Sequence, residues 1–261
     1  MPEPSHPHGP SVALNGVTKS YAGGSTAVDR VSLEIAGGSF VALVGSSGSG
    51  KSTLLKMINR LIDPTAGSIL LDGTDVTKGD PFRLRRRIGY VFQNIGLFPH
   101  LTVAENVAIG LRLEGERSPT SRVADLLALV DLPADFGERM PDALSGGQRQ
   151  RVGVARALAT QPKLVLMDEP FGALDPVTRD QLGTAYRTLH DRLGLTTLMV
   201  THDMAEALIL GDRVLVMDTA RIVADAVPRA LLKGEGGEIA QALVAVPRDQ
   251  MRRLVRLEAG A

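Results

Sequence analysis

Between the apolar run 40–44 and the helix-spaced stretch 53–59 the chain reads Gly45-Ser46-Ser47-Gly48-Ser49-Gly50-Lys51-Ser52-Thr53. A short apolar run reads as a buried strand, and the glycines after it let the backbone turn tightly. Several N–H groups then converge at a helix N-terminus, forming a nest for phosphate oxygens that the positive end of the helix dipole reinforces. In that geometry Lys51 reaches the β- and γ-phosphates and the Ser52 hydroxyl ligates Mg²⁺. A plain Gly/Ser connector is the alternative, but the strand and the helix that the motif requires both flank the loop. The chain is expected to bind a nucleoside triphosphate.

Composition narrows the remaining classes. With 261 residues, 44% of them hydrophobic, the chain can build one large domain, or a domain with a subdomain. Lys+Arg and Asp+Glu balance at 29 each, so no global field points to nucleic acid or to an anionic membrane surface. The absence of cysteine excludes disulfides and thiolate metal sites and suits a cytoplasmic protein. No apolar run approaches the ~20 residues that span a bilayer, and the first residues lack an apolar signal core. Any service to a membrane is expected to pass through a partner.

Along the chain, residues 1–11 hold four prolines, two histidines and little to bury, which reads as a loose tail. Strand-like spacing runs from 12 to 35 with a break at 22–25, and a hairpin is expected around Asp72-Gly73. Arg83, Arg85, Arg86 and Arg87 lack interleaved aromatics and read as a solvated helix face rather than a nucleic-acid contact. Residues 101–132 have helical spacing interrupted by a polar loop at 114–119, so a helical subdomain is expected inside an α/β core. The short apolar runs 163–167 and 196–200 flank a helix and read as parallel core strands.

Two further segments carry chemistry. The run Leu164-Val165-Leu166-Met167 ends in Asp168-Glu169, and a buried strand holds its C-terminal end rigidly at the ligand side of a parallel sheet. There Asp168 is placed to hold Mg²⁺ and Glu169 to accept the proton of the attacking water. Leu144-Ser145-Gly146-Gly147-Gln148 precedes a helix-spaced stretch, and Ser145 with Gln148 fits a capping box. Two adjacent glycines weaken a helix start that serves capping alone, yet they leave N–H groups bare for an anion. A second phosphate-binding helix end is surplus within one chain. It finds a use if two copies meet head to tail, each offering this end to the other's γ-phosphate.

Taken in order, the phosphate loop, Gln93, the segment 144–148, Asp168-Glu169, Ala173-Leu174-Asp175 and His202 resemble the nucleotide-binding subunit of an ATP-binding cassette transporter from about Val12 to Asp225. The resemblance implies a P-loop α/β fold with a mainly parallel core sheet, an antiparallel β subdomain and a helical subdomain over about 94–160. The cassette would cover 12–227, with a helical tail over 228–261. It further implies that Tyr21 stacks on adenine and that Gln93 contacts Mg²⁺ and the attacking water and couples to the membrane subunit. Asp175 would communicate across a homodimer, and His202 would contact the γ-phosphate. Implied with these are ATP, Mg²⁺, a membrane permease, an extracytoplasmic solute-binding protein, no nucleic-acid partner, and a cytoplasmic position on the inner face of the membrane.

The run Asp168-Glu169-Pro170-Phe171-Gly172-Ala173-Leu174-Asp175 resembles importers. Residues 58–61 and 93–100 are similar to the branch that takes up glycine betaine, choline, carnitine or proline, although Asn94 stands where a second glutamine is usual. Many of these relatives carry paired CBS domains, and from the few residues after Asp225 no such pair is expected here. Other expectations for such a cassette are an importer of another small solute, such as an amino acid, or a soluble ATPase without transport.

Overall fold

The structure is a computed structural model that describes residues 8–116 and 120–258. The chain runs β1 (Val12–Ser20), β2 (Thr26–Ile35), β3 (Phe40–Val44), α1 (Lys51–Ile58), β4 (Ala66–Leu71), β5 (Thr74–Asp75), α2 (Pro81–Arg86), β6 (Ile88–Val91), α3 (Val103–Leu113), α4 (Thr120–Leu129) and α5 (Gly146–Leu158). It continues with β7 (Leu164–Asp168), α6 (Pro176–Leu193), β8 (Thr196–Val200), α7 (Met204–Leu210), β9 (Arg213–Asp218), β10 (Arg221–Ala226), α8 (Pro228–Leu232) and α9 (Gly237–Glu258).

The central sheet has the order β10-β9-β3-β8-β7-β6 and is parallel apart from the β9–β10 pair. Its middle strands are buried on both faces, as near-continuous apolar runs require. Alternation sorts their side chains: Phe40, Ala42 and Val44 enter one core with Val165 and Met167, while Val41 and Leu43 enter the other with Leu164 and Leu166. The second core is closed by α1 and by an antiparallel sheet, β2-β1-β4-β5. The first is closed by α6, α7 and the helices α3, α4 and α5, the only α-helices described between β6 and β7. Registers set the site: Val91 pairs with Met167, Asp168 with Val200, and Leu43 with Val200. The parallel strands therefore end at one edge, where the phosphate loop, Gln93, Asp168-Glu169 and His202 begin.

Two parts of the chain depart from the sequence reading. Residues 1–7 of the expected loose tail lie outside the described residues, but the reading of 8–11 as loose is corrected. Gly9 N–H donates to Gly194 O at 2.7 Å, Thr196 Oγ1 donates to Pro10 O at 2.8 Å, and Ser11 N–H donates to Asp72 Oδ1 at 2.8 Å. Main-chain bonds hold this segment, so it needs no apolar side chains and looked featureless. Strands β9 and β10 were not assigned at all, although Val214-Leu215-Val216-Met217 is fully buried. Helix α9 runs unbroken through Pro247 and buries Ala240 and Val244. Part of the 114–119 loop, residues 117–119, lies outside the described residues. Among the described residues no helix is long and apolar enough to cross a membrane.

A Cβ on Gly9 would stand 2.3 Å from Lys163 O, whereas one on Gly79, also at negative φ, would meet nothing within 4 Å. Gly9→Ala should therefore cost about 1–3 kcal/mol of stability in urea unfolding, with Gly79→Ala close to the parent. Equal midpoints for the two variants would contradict the packing of residues 8–11.

Candidate functional site

The loop after β3 is shaped by its neighbours. Gly45 and Gly50 sit at φ 152° and 108°, and a Cβ on either would lie 2.0 Å from a carbonyl oxygen, that of Met217 or of Ala27. Only glycine fits both places. Gly50 precedes α1 without any side-chain cap, so the first N–H groups of that helix remain available to an anion. Lys51 Nζ lies along the loop and donates to Gly45 O at 2.8 Å and Ser46 O at 2.7 Å. Burial lowers the pKa of Lys51, and the carboxylates of Glu169 and Asp168 partly restore it.

Across from the loop, Ser52 Oγ donates to Asp168 Oδ1 at 2.7 Å. Asp168 is 2% exposed, and burial raises its pKa against the hydrogen bond from Ser52 and the charge of Lys56. Glu169 Oε2 lies 3.3 Å from His202 Nδ1. His202 is set by its neighbours: Asp203 N–H donates to Thr201 Oγ1 at 3.1 Å, and Asp203 caps α7 by accepting from Ala205 N–H at 2.8 Å. Lys51, Ser52, Gln93, Glu169 and His202 line one cavity of about 460 Å³, together with Gly45, Ser47, Gly48, Gly50 and Thr53 of the loop. Ser46 and Ser49 belong to the same turn, with Ser49 N–H donating to Ser46 O at 3.2 Å.

Other singled-out residues stand apart from that cavity. Ser145 and Gln148 form a reciprocal capping box, Gln148 N–H to Ser145 Oγ at 3.2 Å and Ser145 N–H to Gln148 Oε1 at 2.9 Å. The box engages Gln148 on both its backbone and its side chain, so the start of α5 presents the N–H groups of Gly146 and Gly147. The two glycines are not equivalent. A Cβ on Gly146 would meet nothing within 4 Å, but one on Gly147 would stand 3.2 Å from Leu174. Asp175 caps α6 by accepting from Thr178 N–H at 3.0 Å, and that bond lowers its pKa. Tyr21 is 45% exposed, with the Lys19 ammonium 5.4 Å from its ring centre.

A wider cleft of about 740 Å³ lies at the opposite edge, beside the first residues of β6 and β7. Its aspartates Asp72, Asp75 and Asp80 are already engaged by Ser11, Thr77 and Phe82 N–H groups. Size alone does not make it the reactive centre, because the convergent polar groups stand at the strand C-termini. Sequence reasoning missed Gln150, 1% exposed on α5, whose Nε2 donates to Glu169 O at 3.4 Å. A glutamine inside a helix-spaced run gives no local signal of such a contact.

A glycine-rich loop between a buried strand and an uncapped helix, facing an acidic pair two strands away, defines a P-loop nucleotide-binding protein. The family model described as ABC transporter matches residues 28–172, and the chain belongs to that family. A choline transport ATP-binding protein of Bacillus subtilis is 46% identical over 239 residues, covering 91% of this chain and 63% of the relative. A sulfate/thiosulfate import ATP-binding protein of Caulobacter vibrioides is 49% identical over 218 residues, covering 81% of this chain and 63% of the relative. The chain thus spans less than two thirds of the length of these relatives. A dimeric ATP-binding cassette in a post-hydrolysis state, bound to ADP and Pi, matches with a TM-score of 0.79 at 37% identity, over 84% of this chain and 99% of that one.

Because burial raises the pKa of Asp168, its ionisation opposes folding. The opposition is absent below the ordinary aspartate range and develops as pH rises through that range to the raised value. Asp168→Asn should therefore gain stability over the parent in nucleotide-free buffer, and more at neutral than at weakly acidic pH. Urea midpoints at the two pH values check this, and a gain independent of pH would contradict it.

Proposed function

We propose that this chain is the ATP-hydrolysing subunit of an importer, working as a homodimer that sandwiches two nucleotides. One observation carries the reading. The phosphate loop, Gln93, Glu169 and His202 share a cavity, whereas the half-buried N–H end of α5 does not line it within the same chain. A second copy placed head to tail supplies that end. Each site then comprises one copy's phosphate loop, Asp168, Glu169 and His202 with the other's Ser145, Gly146 and Gly147. The dimeric cassette with ADP and Pi among the similar structures supports this arrangement.

The residues divide the work. Amides of the loop and Lys51 hold the β- and γ-phosphates, and Tyr21 packs on the adenine ring. Glu169 accepts the proton of the attacking water, with His202 fixing its carboxylate and touching the γ-phosphate. Asp168, Ser52 and Gln93 offer oxygen ligands of the hard kind that Mg²⁺ prefers. Among the described residues no cluster of three His, Asp or Glu side chains could cage a metal alone, which fits an ion shared with substrate phosphates. When bound, Mg²⁺ neutralises charge on the phosphates. Because the site is complete only in the closed dimer, hydrolysis is tied to closure. Asp175 lies beside the junction between copies, and the segment after Gln93 passes the movement to a membrane permease. The protein then sits on the cytoplasmic face of the membrane, taking cargo through an extracytoplasmic solute-binding protein, with no nucleic-acid partner.

The cargo we assign is a quaternary amine osmoprotectant, supported by the choline-transport relative and by residues 58–61 and 93–100. The sulfate/thiosulfate relative keeps a second small solute in view. Uptake of labelled choline, betaine, proline and sulfate by cells carrying the subunit with its native permease separates the two. Glu169→Gln should leave ATP binding intact, lower turnover by about 10²- to 10⁴-fold and accumulate an ATP-bound dimer on gel filtration. Lys51→Ala should weaken ATP binding itself. Parent-rate hydrolysis by Glu169→Gln, or by a chain that stays monomeric at every concentration, would overturn the assignment.

A further inference from the structure

Glu169 holds a left-handed backbone, φ 50°, which non-glycine residues occupy at a cost and which recurs at functional sites. Fixed partners keep it there. Its N–H donates to Val200 O at 2.9 Å, and Gly172 N–H donates to its carbonyl at 3.3 Å. The remaining partner comes from outside the strand edge: Gln150 Nε2 on α5 donates to the same carbonyl at 3.4 Å. Gln150 is 1% exposed, and a buried amide is tolerated in a helix only where its polar atoms find partners. Gln150 stands little more than one turn beyond the Ser145 cap, so α5 meets the segment 169–174 at two points, Gly147 against Leu174 and Gln150 on Glu169.

We propose that Gln150 is a positioning residue that couples the start of α5 to the carboxylate of Glu169 in the same chain. The inference rests on the dimeric reading above, in which the start of α5 meets the nucleotide held by the other copy. When that nucleotide draws on the Gly146 and Gly147 N–H groups, α5 moves as a rigid rod. Gln150 then moves the peptide that aims Glu169. A subunit thus orients its own base in response to the nucleotide it serves in its partner, and the two hydrolysis events become linked.

The test compares Gln150→Leu and Gln150→Met, which keep bulk but cannot donate, with the parent and with Glu169→Gln. Steady-state ATP hydrolysis should show kcat lowered about tenfold or more, with KM for ATP and the thermal midpoint unchanged. The Hill coefficient for ATP should fall toward one. Parent kcat with parent cooperativity in a folded variant overturns the proposal. A rise in KM together with a lowered thermal midpoint also overturns it, since that pattern marks a packing role. If Leu at this position prevents folding, the Met variant gives the same comparison. Glu169→Gln separates the two levels. Full activity there sinks the dimeric ATPase reading, whereas an inert Glu169→Gln beside a normal Gln150→Leu sinks the coupling alone.

Discussion

Burial of the parallel sheet on both faces governs the rest of the molecule. A strand with no solvated face cannot carry polar chemistry along its length, because an unpaired buried polar group is costly. The functional side chains are therefore pushed to the strand ends, and parallel pairing brings those ends to one edge. Strands β3, β6, β7 and β8 supply the components there. The two cores, one under the helices and one under the antiparallel sheet, keep these ends from moving independently.

Phosphoryl transfer asks little covalent work of a protein and much positioning. In the dimer proposed above, the site would divide that task between what a single chain completes and what it withholds. Asp168 and Ser52 are in contact, as are Glu169 and His202. The glycines that open α5 face elsewhere. Under that proposal an incomplete site would make association a condition for turnover, which is what an energy-coupling machine requires.

Much of this was legible in the chain. The phosphate loop declared itself through glycine spacing between a strand and a helix, and β7 through an apolar run closed by two carboxylates. Those signals are local, set by backbone sterics and burial. The Ser145–Gln148 box was also readable, being an interaction within four residues. What escaped was non-local or carried by the main chain. Residues 8–11 are held by peptide groups, so their composition resembled a tail. The crowding of Gly147 against Leu174 depends on a loop some thirty residues away, and anion binding alone had explained that glycine. Gln150 reached Glu169 only once α5 was laid against β6, beside the end of β7. The left-handed backbone at Glu169 has no sequence signature, since a non-glycine residue there is stabilised by its surroundings.

The carbonyls of Ala27 and Met217, pressed against Gly50 and Gly45, reach beyond local sterics. They come from two different sheets, so the loop is gripped like a jewel between prongs. Widening that grip would mean prising the sheets apart. In the proposed dimer, spent nucleotide would then have no exit through a relaxing floor and would leave by the open side, where the other subunit had stood. Separation of the copies, rather than softening of the loop, would set the pace of exchange.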